Sequence, residues 1–170
     1  VLIDSSSPVK PEDADWIIPN THYPGLWNKS VELAIEGSYD YLFFIASDIQ
    51  LKETSLLFTC LREVAESDDI CLWTPSISQD SRFAFKSTGA RLSSGMRYCG
   101  AVEGFCFLAR LDILQQIYPL SSSIRFGYGV DIIAALYGHQ LGKVVVDDRV
   151  IIYHPRRKAD HQIDEPLAQS

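Results

Sequence analysis

A five-residue apolar run, Tyr41-Leu42-Phe43-Phe44-Ile45, constrains the fold more than any other part of the chain. A short run of aromatic and aliphatic residues predicts a fully buried strand at the centre of a sheet. The run breaks into the polar segment Ala46-Ser47-Asp48. Because open α/β sheets bind ligands beyond the carboxyl ends of their strands, Asp48 is a candidate functional residue.

Strand and helix signals alternate on both sides of this run. Short apolar runs predict strands at residues 1–4, 15–18, 70–73, 144–146 and 150–153, with Pro75 ending the third. Helical spacing of apolar residues predicts helices at 26–36, 54–66 and 111–117, and another that begins at Asp131 after a glycine turn. Residues 79–97 form a long polar excursion, interpreted as a hairpin. The order predicts an α/β fold in which helices flank a mostly parallel central sheet.

The length of 170 residues predicts one domain, residues 1–155, followed by a polar C-terminal tail, residues 156–170. The only basic cluster, Arg156-Arg157-Lys158, follows His154. It either faces a phosphate or belongs to a solvated tail.

Charge and cysteine content narrow the classes of partner. The net charge of −7 and the lack of a broad basic face argue against nucleic acid. The chain contains no run of about 18 apolar residues, so no transmembrane segment is predicted. The four cysteines form no CxxC pair, which argues against a cysteine zinc site and favours a reducing, cytoplasmic location. Peripheral contact with a membrane and the oligomeric state stay open.

Two residues at strand ends are candidate metal ligands. The carboxylate of Asp48, beside Ser47, suits Mg²⁺ or Mn²⁺, since these cations prefer oxygen ligands. The alternative is that Asp48 caps the following helix. His154 ends the apolar run 150–153, where it is a metal ligand, a proton carrier or a hydrogen-bonded structural residue.

Two further carboxylates are candidates for acid–base chemistry. Asp131 follows an aromatic glycine turn at the start of a helix, where it acts as a general base or simply interacts with the helix dipole. Glu103 interrupts an apolar segment, so its side chain is paired, solvated or functional. Asp147 and Asp148 are interpreted as a structural turn between two strands.

Several short motifs occur in a recognisable order. A strand ends in Ile3-Asp4-Ser5-Ser6-Ser7, and Asn20, Gly25 and Asn28 surround the start of the next helix. The segment Ala46-Ser47-Asp48 follows an apolar strand, and a glycine and an arginine lie six residues apart at Gly104 and Arg110. Asp131 and His154-Pro155 complete the series.

In this order the motifs resemble those of the family 2 type of glycosyltransferase with the GT-A fold (nucleotide-diphospho-sugar transferase-like). The resemblance covers roughly residues 1–155. It implies transfer of a sugar from a nucleotide-diphosphate donor to a glycan or other hydroxyl acceptor, in a single displacement with inversion. Mg²⁺ or Mn²⁺ is the implied cofactor.

The resemblance also implies roles for individual residues. Asp48 and His154 would hold the metal. Asp4, Asn28 and Ser47 would contact the nucleotide-sugar. Asp131, with Glu103 as the second candidate, would deprotonate the acceptor.

A competing hypothesis is a catalytically silent GT-A-like module that binds sugar or protein. Ala46 occupies the first position of the D-x-D signature, so only its last aspartate is present. The family's first strand has no counterpart before Val1. A nucleotidyltransferase is a third hypothesis, but the chain carries no glycine-rich nucleotide loop near its start.

Overall fold

The fold was analysed in a computed structural model that describes residues 1–4, 12–19, 21–81, 85–91 and 95–155. The expected tail 156–170, Asn20 and the serines after Asp4 lie outside these residues. The elements, in chain order, are β1 (Ile3–Asp4), β2 (Trp16–Ile17), α1 (His22–Glu36), β3 (Tyr41–Ile45), β4 (Gln50–Leu51), α2 (Thr54–Ala65), β5 (Ile70–Ile77), β6 (Met96–Tyr98), β7 (Cys106–Arg110), α3 (Leu111–Gln115), α4 (Val130–Leu141) and β8 (Lys143–Tyr153).

The structure confirms an α/β fold, but its main sheet is mixed rather than mostly parallel. Six strands form it, in the order β3-β7-β5-β8-β4, with β6 also paired to β8. Only β5 and β8 run parallel, and the other pairings are antiparallel. The parallel pair β1-β2 forms a separate two-stranded sheet. Strand order along the chain therefore did not reveal strand direction, which depends on how each connection crosses the sheet.

Helices cover both faces of the main sheet. One core contains Trp27 and Val31 of α1, with Leu72 and Phe107 from the sheet. The core on the opposite face contains α2 residues and the neighbouring strand residues; its buried members include Leu57, Cys60, Val64, Trp73 and Leu108. Consecutive residues of β5 and β7 thus enter opposite cores, as the period of a strand requires.

The strand Tyr41–Ile45 is present, but it is neither central nor fully buried. β3 is the last strand on one side of the described sheet, and Ile45 is 39% exposed. An edge strand is paired along one side only. The apolar run predicted the strand correctly but not its position.

Two other boundaries differ for local reasons. Strand β5 continues through Pro75, where the register with β8 shifts between Pro75 and Ser76. A register shift tolerates proline because the ladder is already interrupted there. Helix α1 begins at His22, four residues earlier than predicted. Pro24 fits its first turn, where the backbone N–H has no helical partner.

Residues 143–153 form one strand rather than two strands separated by a turn. Asp147 and Asp148 lie within it, and both are buried. The guanidinium of Arg149 donates to Asp147, and that of Arg97 donates to Asp148. Their structural role is thus retained within a strand, because each charge has a cationic partner.

All four cysteines are buried and none forms a disulfide. Within the described residues, no helix is both long and apolar enough to cross a membrane.

Candidate functional site

The two predicted metal ligands lie beside each other although they come from distant parts of the chain. His154 Nε2 is 3.5 Å from Asp48 Oδ2. The pairing of β4 with the end of β8 explains this proximity, because Gln50 is the register partner of Tyr153. Asp48 lies just before β4 and His154 just after β8, so the same pairing brings both to one corner.

Local structure positions both predicted ligands at this corner. The backbone N–H of His154 donates to Ser81 Oγ at 3.0 Å, and its ring lies 4.2 Å from that of Phe105, centroid to centroid. Asp48 lies in the turn between β3 and β4, and helix α2 begins only at Thr54 after the N-cap Glu53. Asp48 is therefore not a helix cap, and that alternative was wrong.

Both predicted ligands keep partial access to solvent. The His154 side chain is 18% exposed and that of Asp48 is 29% exposed. An oxygen and an imidazole nitrogen at this separation fit joint binding of one divalent cation. In the part of the chain that the structure describes, no third histidine, cysteine or carboxylate completes a larger metal-binding group.

A pocket of about 1480 Å³ connects this corner with the other candidate carboxylates. Its wall includes Ser47, Glu103, Asp131 and His154. Three of these predicted residues come from different strand ends or loops, and Asp131 lies at the start of α4. Their convergence on one pocket is the main feature of the candidate site.

Asp131 occupies a position in which its charge is disfavoured. Burial raises the pKa of its carboxyl group, and hydrogen bonds from backbone N–H groups, including that of Ile132 at 2.9 Å, oppose the rise only in part. A carboxylate with a raised pKa is a better proton acceptor than an ordinary exposed aspartate. The preceding turn holds Gly127 and Gly129 at φ values of 69° and 86°.

Tyr23 lines the same pocket, although no sequence pattern indicated a role for it. Its hydroxyl donates to the carbonyl of Gly104 at 3.2 Å, and its backbone N–H donates to Arg125 at 3.2 Å. Burial, and secondarily the charge of Asp131, raises the pKa of Tyr23. The four-residue spacing to Trp27, whose ring centroid lies 6.1 Å away, was the available sequence signal for one helix face.

Glu103 is buried and has hydrogen-bond partners. Its Oε1 accepts from the backbone N–H of Phe85 at 2.8 Å, and the Thr88 hydroxyl lies 3.0 Å from the same oxygen. These contacts attach the segment 85–91 to the site. That segment also bonds to Ile77 through Thr88 and Ala90, so this described part of the 79–97 excursion packs against β5.

Other predicted residues lie away from the pocket wall. The side chain of Asn28 exchanges two hydrogen bonds with the backbone of Leu120, at 3.0 and 2.8 Å. Asp4 is 5% exposed at the end of β1, outside the pocket wall. Arg110 pairs with Asp112 at 2.8 Å, at the opposite end of β7 from Cys106. Of the three predicted nucleotide-sugar contacts, only Ser47 lines the pocket.

Comparison with known proteins gives little independent information. No protein-family model and no curated protein matches the chain significantly. Among solved structures, the chain is similar to the crystal structure of A197 from STIV, with a TM-score of 0.47 and 15% identity. The match covers 85% of this chain and 74% of that one. A likeness this distant assigns neither a fold family nor an activity.

Proposed function

We propose that the protein is a metal-dependent glycosyltransferase of GT-A-like architecture that moves a sugar from a nucleotide-diphosphate donor to an acceptor hydroxyl. The observation that carries this proposal is the convergence of Asp48 and His154 beside a pocket whose wall also contains Asp131. The order of the sequence motifs supports the reaction class. The convergence supports one pocket as the location of both the metal and the general base.

Asp48 and His154 would hold Mg²⁺ or Mn²⁺ in this proposal. Two protein ligands suffice for such cations when substrate phosphates and water occupy the other positions. The bound cation would offset negative charge on the diphosphate leaving group. Ser47, exposed on the pocket wall next to Asp48, is the predicted residue best placed to contact the donor.

Asp131 would act as the general base. The acceptor oxygen forms a bond to the anomeric carbon while the bond from that carbon to the donor phosphate breaks. The acceptor proton passes to the Asp131 carboxylate, and the nucleoside diphosphate leaves with the bonding electrons. A single displacement of this kind inverts the anomeric configuration. Glu103 remains the second candidate, but its hydrogen bonds to segment 85–91 favour a positioning role.

Calorimetry with UDP-, GDP- and dTDP-sugars, with and without Mn²⁺, tests the proposal. We expect Mn²⁺-dependent binding of at least one donor, and loss of that dependence in Asp48→Asn and His154→Ala. Asp68→Asn, which changes an exposed aspartate outside the site, is the matched control. Unchanged metal dependence in Asp48→Asn would show the metal assignment to be wrong.

The silent module is the second candidate, and two observations favour it. Ala46 removes one carboxylate from the signature, and among the described residues no group of three or more possible metal ligands is found. A module of this type would bind no nucleotide-sugar under either metal condition. Absence of donor binding, with a folded protein by circular dichroism, would therefore favour it over the transferase.

A further inference from the structure

Phe126 and Tyr128 form an exposed aromatic pair beside the candidate base. Their side chains are 56% and 83% exposed, and their ring centroids lie 5.9 Å apart with an interplanar angle of 46°. Gly127 lies between them and Gly129 follows, both with positive φ. Two large rings presented to solvent by one short turn leave much apolar surface uncovered, which often marks a binding site.

The position of these rings separates them from other exposed aromatics. Phe126 and Tyr128 line the same pocket as Asp131 and Glu103. Phe58 and Tyr98 are similarly exposed, at 63% and 69%, but neither lines that pocket. The aromatic pair is therefore part of a pocket wall that also contains two carboxylates.

Aromatic faces combined with carboxylates suit one chemical class of ligand. A pyranose ring has an apolar face of C–H groups that packs on an aromatic ring, and a rim of hydroxyls that donate to carboxylate oxygens. An aliphatic ligand would cover the half-buried Asp131 carboxylate without offering it a further hydrogen-bond donor, which is unfavourable. A phosphate that is not bound to a cation would be repelled by the negative charge of Asp131.

We propose that Phe126 and Tyr128 form a platform on which a pyranose ring of the acceptor glycan stacks, with its hydroxyl directed to Asp131. This inference rests on the proposed transferase function, because it assigns the acceptor to the same pocket. It names the acceptor class as a carbohydrate rather than a protein side chain or a lipid alcohol.

The test is NMR of the aromatic side chains during titration with oligosaccharides of glucose, galactose, mannose and N-acetylglucosamine, without donor or metal. We expect at least one oligosaccharide to shift the ring resonances of Phe126 and Tyr128. Phe126→Ala and Tyr128→Ala should each weaken binding about five- to tenfold. Phe58→Ala and Tyr98→Ala are matched controls and should leave the affinity unchanged.

Other outcomes would overturn the platform. No perturbation by any of the four sugar types, or equal weakening by the control variants, would exclude it. If the ring resonances shift with protein concentration alone, the pair is an interface between copies, and the platform is wrong. Failure of nucleotide-sugar binding with retained oligosaccharide binding would instead remove the transferase and keep the carbohydrate site, so the two proposals fail separately.

Discussion

Gly127 is the residue at which backbone conformation and packing most restrict the candidate site. Its φ of 69° is one that side-chain-bearing residues rarely adopt, and a Cβ there would lie 2.2 Å from the Tyr23 ring. Gly129 has a similar φ of 86°, but a Cβ on it would meet nothing within 4 Å. A side chain at Gly129 would therefore cause conformational strain alone, whereas one at Gly127 would cause both strain and steric overlap.

We therefore expect Gly127→Ala to destabilise the protein more than Gly129→Ala does. Strain alone predicts a loss of about 1 kcal/mol for Gly129→Ala, and displacement of Tyr23 raises the loss for Gly127→Ala to about 3 kcal/mol. Urea unfolding of both variants measures the difference. Equal losses would mean that the Tyr23 ring moves aside without cost.

Asp131 also affects stability, through the pKa of its carboxyl group. Burial raises the pKa of its carboxyl group, so the folded protein binds this proton more tightly than the unfolded chain does. The charged form consequently opposes folding, fully above the folded-state pKa and progressively less as the pH falls towards the unfolded value of about 3.9.

Asp131→Asn should raise the Tm at pH 7, and this gain should shrink as the pH approaches 4. The same variant should lower transfer activity about 10²- to 10⁴-fold if Asp131 is the general base. Thermal unfolding across pH and a coupled assay for nucleotide release would measure both effects. A lower Tm at pH 7 with normal transfer would contradict both the burial effect and the assigned role.

At the scale of elements, strand β8 carries the buried charges that connect the sheet to segment 85–91. Asp148 Oδ2 accepts from Arg97 Nε at 2.8 Å, and Asp148 also accepts from Ser76. Arg97 donates as well to the carbonyls of Ser87 and Gly89. Burial alone would raise the pKa of Asp148, but the hydrogen bonds from Arg97 and Ser76 outweigh it and lower the pKa.

Arg97→Met should therefore destabilise the protein by about 3 kcal/mol at pH 7, because it leaves a buried carboxylate without its cation. The wild type should retain the stabilisation from Asp148 above pH about 4 and lose it as the pH falls through the lower folded-state pKa. Chemical unfolding at several pH values measures this. Lys143→Met removes an exposed partner of Asp69 and should change little.

Sequence patterns were sufficient to predict some secondary-structure elements and boundaries but not others. Helical periodicity predicted α2 closely, and Gly142 follows the end of α4 as expected. Pro75 was taken as a strand end, yet β5 continues through it at a register shift. Periodicity describes contacts within one element, whereas a register shift depends on the partner strand, so only the first can be inferred locally.

At the scale of the whole molecule, the described residues form two sheets that are buried to different extents. Strands β5, β7 and β8 lie inside the main sheet between two cores. The β1-β2 pair forms its own two-stranded sheet, and Trp16 and Ile17 are 43% and 54% exposed. Two strands of two residues each bury little surface and should open without unfolding of the main sheet.

Hydrogen exchange should detect this difference. The amide of Ile18, which donates to Asp4, should exchange through local opening and much faster than the amides of Val144 and Val146 in β8. The β8 amides should exchange with free energies close to that of global unfolding. Native-state exchange measured by NMR at increasing denaturant concentrations distinguishes these cases. Equal protection of Ile18 and β8 would show that the small sheet unfolds cooperatively with the main one.

The sequence by itself determined the α/β class, most helices and strands, and the residues that could carry chemistry, because these depend on local periodicity and residue type. Tertiary structure alone decided strand direction, the edge position of β3 and the convergence of Asp48 with His154. It also decided that Asn28 bonds to Leu120 and that Tyr23 lies beside the Gly127 turn. These features depend on contacts between residues distant in the chain, which no local pattern records.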